Sequence, residues 1–83
     1  MNISFHKHAL NRMKERGVLK KEVISAIKTG EKFSAKYNRT VFRQNFVFGK
    51  KWLGKLYNTK QIEVYAVNEN NNWFVITVIA KYF

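Results

Sequence analysis

The sequence of 83 residues contains no cysteine and no proline, and only five of its residues are acidic. Without thiols the chain cannot form a disulfide framework or a zinc site with cysteine ligands. The longest apolar stretch, Trp73 to Ala80, has eight residues, whereas a membrane-spanning helix needs about 20. No charged segment followed by an apolar one opens the chain, so we expect no secretory signal. These absences favour a cytoplasmic protein with no membrane contact.

The residues that are abundant predict one folded domain. Hydrophobic residues make up 46% of the chain and aromatic residues 16%, which excludes an intrinsically disordered protein. A chain of this length cannot divide into two self-supporting cores, so we expect a single domain over residues 1–83.

Positive charge dominates the composition, with 16 Lys and Arg against the five acids and a net charge of +11. The segment 33–62 carries seven of the basic residues and no acid. Such a surface favours a polyanionic partner, in particular RNA, because Lys and Arg displace the counterions condensed on phosphates. An acidic protein would fit the same charge, and lysines that merely keep a small sheet soluble are the other alternative. The candidate nucleic-acid-binding residues are Arg39, Arg43, Lys50, Lys51, Lys55 and Tyr57.

Two helices are predicted in the first 30 residues. The first begins with Ser4 as its N-cap and ends at Arg16, where Gly17 supplies a left-handed residue. Its buried line repeats every four residues and is widened by one leucine: Phe5, Ala9, Met13 and Leu10. The second helix spans about Leu19 to Thr29.

After Gly30 the apolar period changes from 3.6 to 2, which predicts strands. They cover Phe33–Tyr37, Thr40–Phe48, Trp52–Tyr57, Ile62–Val67 and Trp73–Lys81, with turns at 38–39, 49–50, 58–60 and 68–72. The last strand is apolar on both faces, so we expect it in the sheet interior. The predicted fold is α+β, with two N-terminal helices packed on one face of a four- to five-stranded antiparallel sheet.

One helical line carries the residues suited to chemistry on RNA. His8, Arg12 and Arg16 recur every four residues, beside the predicted buried line. An imidazole can move the proton of a 2′-hydroxyl or leaving oxygen, and guanidiniums can hold the phosphate and its growing charge. The alternative is structural: the arginines pair with Glu15 or Glu22, and His8 is an ordinary surface residue.

Two further residues stand out. His6 falls inside the apolar arc of the predicted first helix, which favours a half-buried structural role. Thr77 places a hydroxyl in the most apolar stretch of the chain, and that hydroxyl needs a partner, such as a phosphate oxygen or a site arginine. A structural threonine in a strand is an equally acceptable interpretation. With no cysteine or aspartate beside the histidines, we expect no metal site and no cofactor.

The first helix also resembles a known pattern. The motifs of that pattern are His8-Ala9-x-x-Arg12-Met13-x-x-Arg16-Gly17-Val18, Glu22-Val23 and Ile76-Thr77-Val78. With these motifs the sequence resembles a family of small uncharacterised bacterial and phage domains that has been grouped with the barnase–EndoU–colicin–RelE-like fold, whose members are mostly metal-independent endoribonucleases acting as toxins. The resemblance implies a catalytic site of His8, Arg12, Arg16 and Thr77, and it implies an antitoxin as a possible acidic partner. Leu19-Lys20-Lys21 departs from the capping residue and acidic pair that are usual in the family.

The leading hypothesis from the sequence is therefore a metal-independent endoribonuclease, a toxin of a toxin–antitoxin or phage system that cleaves RNA by attack of the 2′-hydroxyl. The alternatives are a non-catalytic nucleic-acid-binding module and a small inhibitor that binds an acidic protein.

Overall fold

The computed structural model describes residues 2–83, which form two helices and one five-stranded sheet. The elements in chain order are β1 (Asn2–Phe5), α1 (Lys7–Arg16), α2 (Lys20–Thr29), β2 (Glu31–Ser34), β3 (Thr40–Trp52), β4 (Lys55–Glu69) and β5 (Asn72–Tyr82). The strands lie in the order β1-β5-β4-β3-β2. The α+β class is confirmed, and so is the interior position of the last strand, which lies between β1 and β4.

The sheet is mixed, so the prediction of a purely antiparallel sheet is wrong. β1 pairs in parallel with β5, Ile3 opposite Trp73 and Phe5 opposite Val75, while the other strand pairs are antiparallel. Ser4 lies inside β1 and does not cap a helix. Pairing with β5 satisfies backbone groups that a longer helix would have satisfied internally, and it turns Ile3 and Phe5 towards the core.

Helix α1 therefore begins later than predicted, and His6 is its N-cap. The Nδ1 atom of His6 accepts a hydrogen bond from the His8 backbone N–H at 3.1 Å. His6 is exposed and not half-buried, because it stands at the helix end and outside the apolar arc. Ala9 and Met13 are buried as expected, whereas Leu10 lies 39% exposed.

Both helices pack on one sheet face, and the core lies between the helices and the sheet. Alternate residues of β4 point into this core, and Ile62, Val64 and Ala66 are completely buried. Helix α2 contributes Val23, Ala26 and Ile27, and it ends at Gly30 close to the predicted position. The alternation of the strands thus determines which side chains face the helices and which face the open side of the sheet.

Strands β3 and β4 are longer than predicted and form one continuous hairpin. Gly49, at φ 60°, lies in a β-bulge where a turn was expected, and the chain reverses instead at Leu53-Gly54, both with positive φ. No turn forms at residues 58–60, since Thr59 pairs with Val47 and exchanges hydrogen bonds with Phe83. The hairpin therefore projects past the end of β5, and we call its projecting residues 48–58 the arm. The molecule measures 41 × 24 × 22 Å.

Candidate nucleic-acid interface

The row of His8, Arg12 and Arg16 lies along one side of α1, as its spacing requires. His8 is exposed, and its ring makes no hydrogen bond to any other side chain among residues 2–83. Arg12 bonds Glu15 at 3.0 Å in a pair whose side chains are 38% and 57% exposed. The Arg16 guanidinium donates to the backbone carbonyl of Val78. Arg12 thus has the surface pairing that the structural interpretation expects, and Arg16 joins α1 to β5.

Thr77 is not brought to this row. It pairs with Tyr65, whereas the neighbouring pair of Val78 and Val64 is fully buried against the helices. Because successive strand residues point to opposite faces, Thr77 belongs to the face that carries no helix. The contact to Arg16 comes from the backbone of Val78 and not from the Thr77 hydroxyl.

Two predicted nucleic-acid-binding arginines lie away from the arm. Arg43 projects from the open face and is flanked by Glu31 at 3.3 Å and Glu63 at 4.0 Å, with its guanidinium 4.7 Å from the centre of the Phe33 ring. These carboxylates offset its charge locally. Arg39 precedes β3, at the end of that strand opposite the arm.

The arm carries the three predicted lysines together. Lys50, Lys51 and Lys55 are all exposed, and the arm contains no acidic residue. Two of these ammonium groups lie over aromatic rings, Lys50 at 5.3 Å from Phe48 and Lys55 at 5.6 Å from Tyr57. Cationic and aromatic groups are therefore adjacent along the arm, which is the combination that single-stranded nucleic acid requires.

A cleft of about 400 Å³ separates the base of the arm from the connection between α1 and α2. We call it the cleft. Its aromatic wall consists of Trp52, Tyr82 and Phe48. Trp52 stacks on Tyr82, with ring centres 5.0 Å apart and planes 16° apart, and Phe48 packs edge-to-face on Tyr82, with ring centres 5.1 Å apart. The other lining residues are Gly17, Leu19, Lys21, Glu22, Val47, Lys50, Lys51 and Lys60.

Lys60 lies at the bottom of the cleft and is only 3% exposed. Its ammonium group donates to the Gly17 carbonyl and, at 2.7 Å, to Oε1 of Glu22. Glu22 Oε1 also accepts the Leu19 backbone N–H at 2.9 Å, which compensates for a helix start that has no capping side chain. Lys60 is thus the one buried basic residue of the segment 33–62, and it is held by the protein itself.

Tyr82 connects this ion pair with the end of α1. Its hydroxyl donates to the Arg16 carbonyl at 2.6 Å. Burial, with a further contribution from the negative charge of Glu22, raises the pKa of Tyr82 above its ordinary value. The phenol therefore stays protonated and remains a hydrogen-bond donor at neutral pH.

Sequence reasoning missed the cleft, although one signal for it was present. Lys60 lies two, four and six residues before Ile62, Val64 and Ala66. Because alternate residues of a strand share a face, an uninterrupted β4 would have placed Lys60 on the side of the sheet that faces the helices. The polar run Asn58-Thr59-Lys60 was instead interpreted as a turn. Trp52 and Tyr82 had no such signal, because their contact depends on how far β3 extends beyond β5.

Across residues 2–83, no group of three or more His, Cys, Asp or Glu residues is placed to hold a metal ion. None of the helices in the described part of the chain is long and apolar enough to cross a membrane.

Fold and surface together define a small α+β domain with a basic arm and an adjoining aromatic cleft. The chain belongs to the family described as Domain of unknown function (DUF4258), which matches residues 5–80. This result agrees with the resemblance to a family of small uncharacterised domains, and the family description assigns no activity. No curated protein and no solved structure matches the chain.

Proposed function

We propose that this protein binds RNA, with the arm as its main contact surface, and that it does so in the cytoplasm. The observation that carries the proposal is the row of exposed lysines on an acid-free hairpin, two of them lying over aromatic rings. Exposed lysines bind phosphates, and among the described residues no carboxylate forms an ion pair with the three arm lysines. Arg43 makes a smaller contribution, because Glu31 and Glu63 flank it.

The salt dependence of binding measures the number of phosphate contacts. Each contact to a single strand contributes a slope of about −0.7 to the plot of log affinity against log salt. Four or more contacts give a slope near −3, and the loss of the three arm lysines should reduce its magnitude by about 2. A domain that binds no polyanion would show no such dependence.

The experiment compares two triple charge reversals. Lys50→Glu/Lys51→Glu/Lys55→Glu changes the arm, and Lys14→Glu/Lys28→Glu/Lys36→Glu changes exposed lysines elsewhere. Each reversal lowers the net charge by 2, so both variants go from +11 to +5. Binding of a single-stranded RNA is measured by fluorescence anisotropy at several salt concentrations. We expect the arm variant to lose most of its affinity and slope, and the control variant to lose much less. Equal losses would contradict a role specific to the arm, and a flat salt response in the wild type would contradict RNA binding.

RNA cleavage is a second candidate function, favoured by the state of His8. Its ring is exposed, and the neighbouring Arg12 is held only by a surface ion pair, a kind worth about 0–1 kcal/mol. A phosphate can displace Glu15 at that cost. His8 would then remove the 2′-hydroxyl proton, the 2′-oxygen would attack phosphorus, and the bond from phosphorus to the 5′-oxygen would break as that oxygen takes a proton from water, giving a cyclic phosphate and a free 5′-hydroxyl. His8 would return its proton to the solvent afterwards. A toxin that acts as a metal-independent endoribonuclease would work in this way, with Arg12 and Arg16 near the phosphate and Thr77 excluded from direct contact by its face of the sheet.

His6 provides a control for the test of cleavage. His8→Ala should lower the rate of RNA cleavage about 10²–10⁴-fold, the usual range for a lost general acid or base. His6→Ala removes the N-cap and should lower stability while it leaves the rate unchanged. The readouts are cleavage of purified RNA, and growth and total RNA integrity after induced expression in bacteria. Full activity in His8→Ala would leave the non-catalytic RNA-binding function. Binding to an acidic protein such as an antitoxin, with no affinity for RNA, would favour the inhibitor hypothesis instead.

A further inference from the structure

The cleft combines three features that recognise one nucleotide. Trp52 and Phe48 supply aromatic surface beside Tyr82, and exposed Lys21, Lys50 and Lys51 stand around the opening. The volume of about 400 Å³ lies within the range of small-molecule sites, roughly 300–1,000 Å³. An unpaired base can stack on the aromatic wall while its phosphate meets the lysines.

Glu22 gives the cleft a means of choosing the base. It is the one carboxylate among the described residues that line the cleft. Its Oε1 atom accepts from Leu19 and Lys60, whereas Oε2 accepts no hydrogen bond from residues 2–83. A carboxylate only accepts hydrogen bonds. Oε2 can therefore pair with a base edge that presents N–H donors, and it repels an edge that presents carbonyl oxygens.

We infer that the cleft binds a single unpaired guanine nucleotide of the RNA, with the base on the aromatic wall and its N1–H and N2–H groups directed at Oε2 of Glu22. Among the common bases, guanine presents two neighbouring donors on its Watson–Crick edge. Uracil presents one donor between two carbonyl oxygens, so its edge is disfavoured beside the carboxylate. This inference rests on the proposed RNA binding and names the base that the cleft selects.

The test uses the two tryptophans as internal reporters. Trp52 lines the cleft, and Trp73 is only 9% exposed, with its ring against Phe42 in the core. Guanosine 5′-monophosphate, uridine 5′-monophosphate and inorganic phosphate are titrated separately into the 15N-labelled protein. We expect the guanine nucleotide to shift the indole N–H signal of Trp52 and the backbone signals of Lys21 and Lys51, while the indole signal of Trp73 stays in place. Uridine 5′-monophosphate should bind at least about tenfold more weakly than the guanine nucleotide, since a hydrogen bond to a charged group is lost.

Variants separate stacking from charge. Trp52→Ala should lower the affinity for guanosine 5′-monophosphate about 5- to 150-fold, and Trp52→Phe should lose less. Tyr37→Ala is the matched control, because Tyr37 is 84% exposed and lies in the connection between β2 and β3, at the end of β3 that is opposite the arm. The Trp73 signal reports whether each variant is folded, and the wild-type titration decides the question even where Trp52→Ala does not fold.

The outcomes distinguish the cleft from the arm. Trp52 shifts of equal size with inorganic phosphate, or equal affinity for the two nucleotides, would overturn the guanine site. Salt-dependent RNA binding that Trp52→Ala leaves unchanged would also overturn it, while the proposed function of the arm would stand. Guanine binding in the cleft without binding of single-stranded RNA would instead refute the proposed function.

Discussion

Removal of Glu22 should destabilise this protein far more than removal of Glu15, although both carboxylates pair with a basic side chain. Glu22 is 13% exposed and Lys60 4% exposed in their pair, against 57% for Glu15 and 38% for Arg12. Glu22→Ala leaves the Lys60 ammonium buried, with the Gly17 carbonyl as its remaining hydrogen-bond partner and the ring centres of Phe48 and Tyr82 at 5.8 and 5.9 Å. Glu15→Ala leaves Arg12 in contact with water, which solvates the guanidinium.

The magnitudes follow from the environment of each pair. Breaking a buried ion pair by removing one partner costs about 3–5 kcal/mol. We count the loss of the hydrogen bond from Leu19 N–H to Glu22 within that cost. Breaking an exposed pair costs about 0–1 kcal/mol. In a domain of this size, 1 kcal/mol changes Tm by about 4–8 °C. We therefore expect Glu22→Ala to lower Tm by at least about 12 °C and Glu15→Ala by only a few degrees.

The assay is thermal unfolding followed by circular dichroism for the single variants and for Glu22→Ala/Lys60→Met. Methionine fills the Lys60 site without a charge, so Lys60→Met should restore much of the stability that Glu22→Ala removes. The sign of this rescue is diagnostic, because a second substitution at a buried position ordinarily destabilises further. A double variant no more stable than Glu22→Ala, or equal losses for Glu22→Ala and Glu15→Ala, would refute the assignment of Lys60 as a buried, paired charge.

Three further predictions concern single positions. The raised pKa of Tyr82 contributes stability that is fully present below the ordinary tyrosine pKa and is lost as pH rises from there through the raised pKa of the folded state. Unfolding measured at about pH 9 and about pH 11 should therefore show a smaller loss in Tyr82→Phe than in the wild type. Gly17→Ala should cost at least about 1–2 kcal/mol, because Gly17 has φ 68° and an added Cβ would lie 2.6 Å from the Trp52 ring; an unchanged unfolding free energy and unchanged tryptophan emission would contradict this. Asn71 has φ 66° in the β4–β5 turn, so calorimetry should show a clear fall in Tm for Asn71→Val and none for Asn71→Gly.

Local patterns predicted the elements whose stability depends on their own residues. Helix α2 and its end at Gly30 followed from the 3.6-residue period of Val23 and Ile27, and β5 followed from a continuous apolar, largely β-branched run after the turn residues. The left-handed Gly17 after α1 was also predictable, because glycine adopts positive φ without strain. These features are encoded within a few residues of where they appear.

Long-range pairing decided the rest. Residues 2–5 form a strand and not a first helical turn because β5, some 70 residues away in sequence, offers them a partner. The polar run 58–60 continues β4 because Val47 and Phe83 pair with Thr59.

The face of the sheet on which a strand residue lies also depends on distant structure. A bulge in the pairing of β5 with β4 skips Ile76, so Trp73 and Val75 face the helices before it and Val78 faces them after it. That single extra residue sends Thr77 to the open face, away from His8 and the arginines of α1.

Composition by itself determined that the protein is basic, folded and able to attract a polyanion, since charge and apolar content do not depend on contacts. Only the tertiary structure decided which cations remain free in solvent, because a buried Lys60 and an exposed Lys50 differ in their neighbours and not in their chemistry.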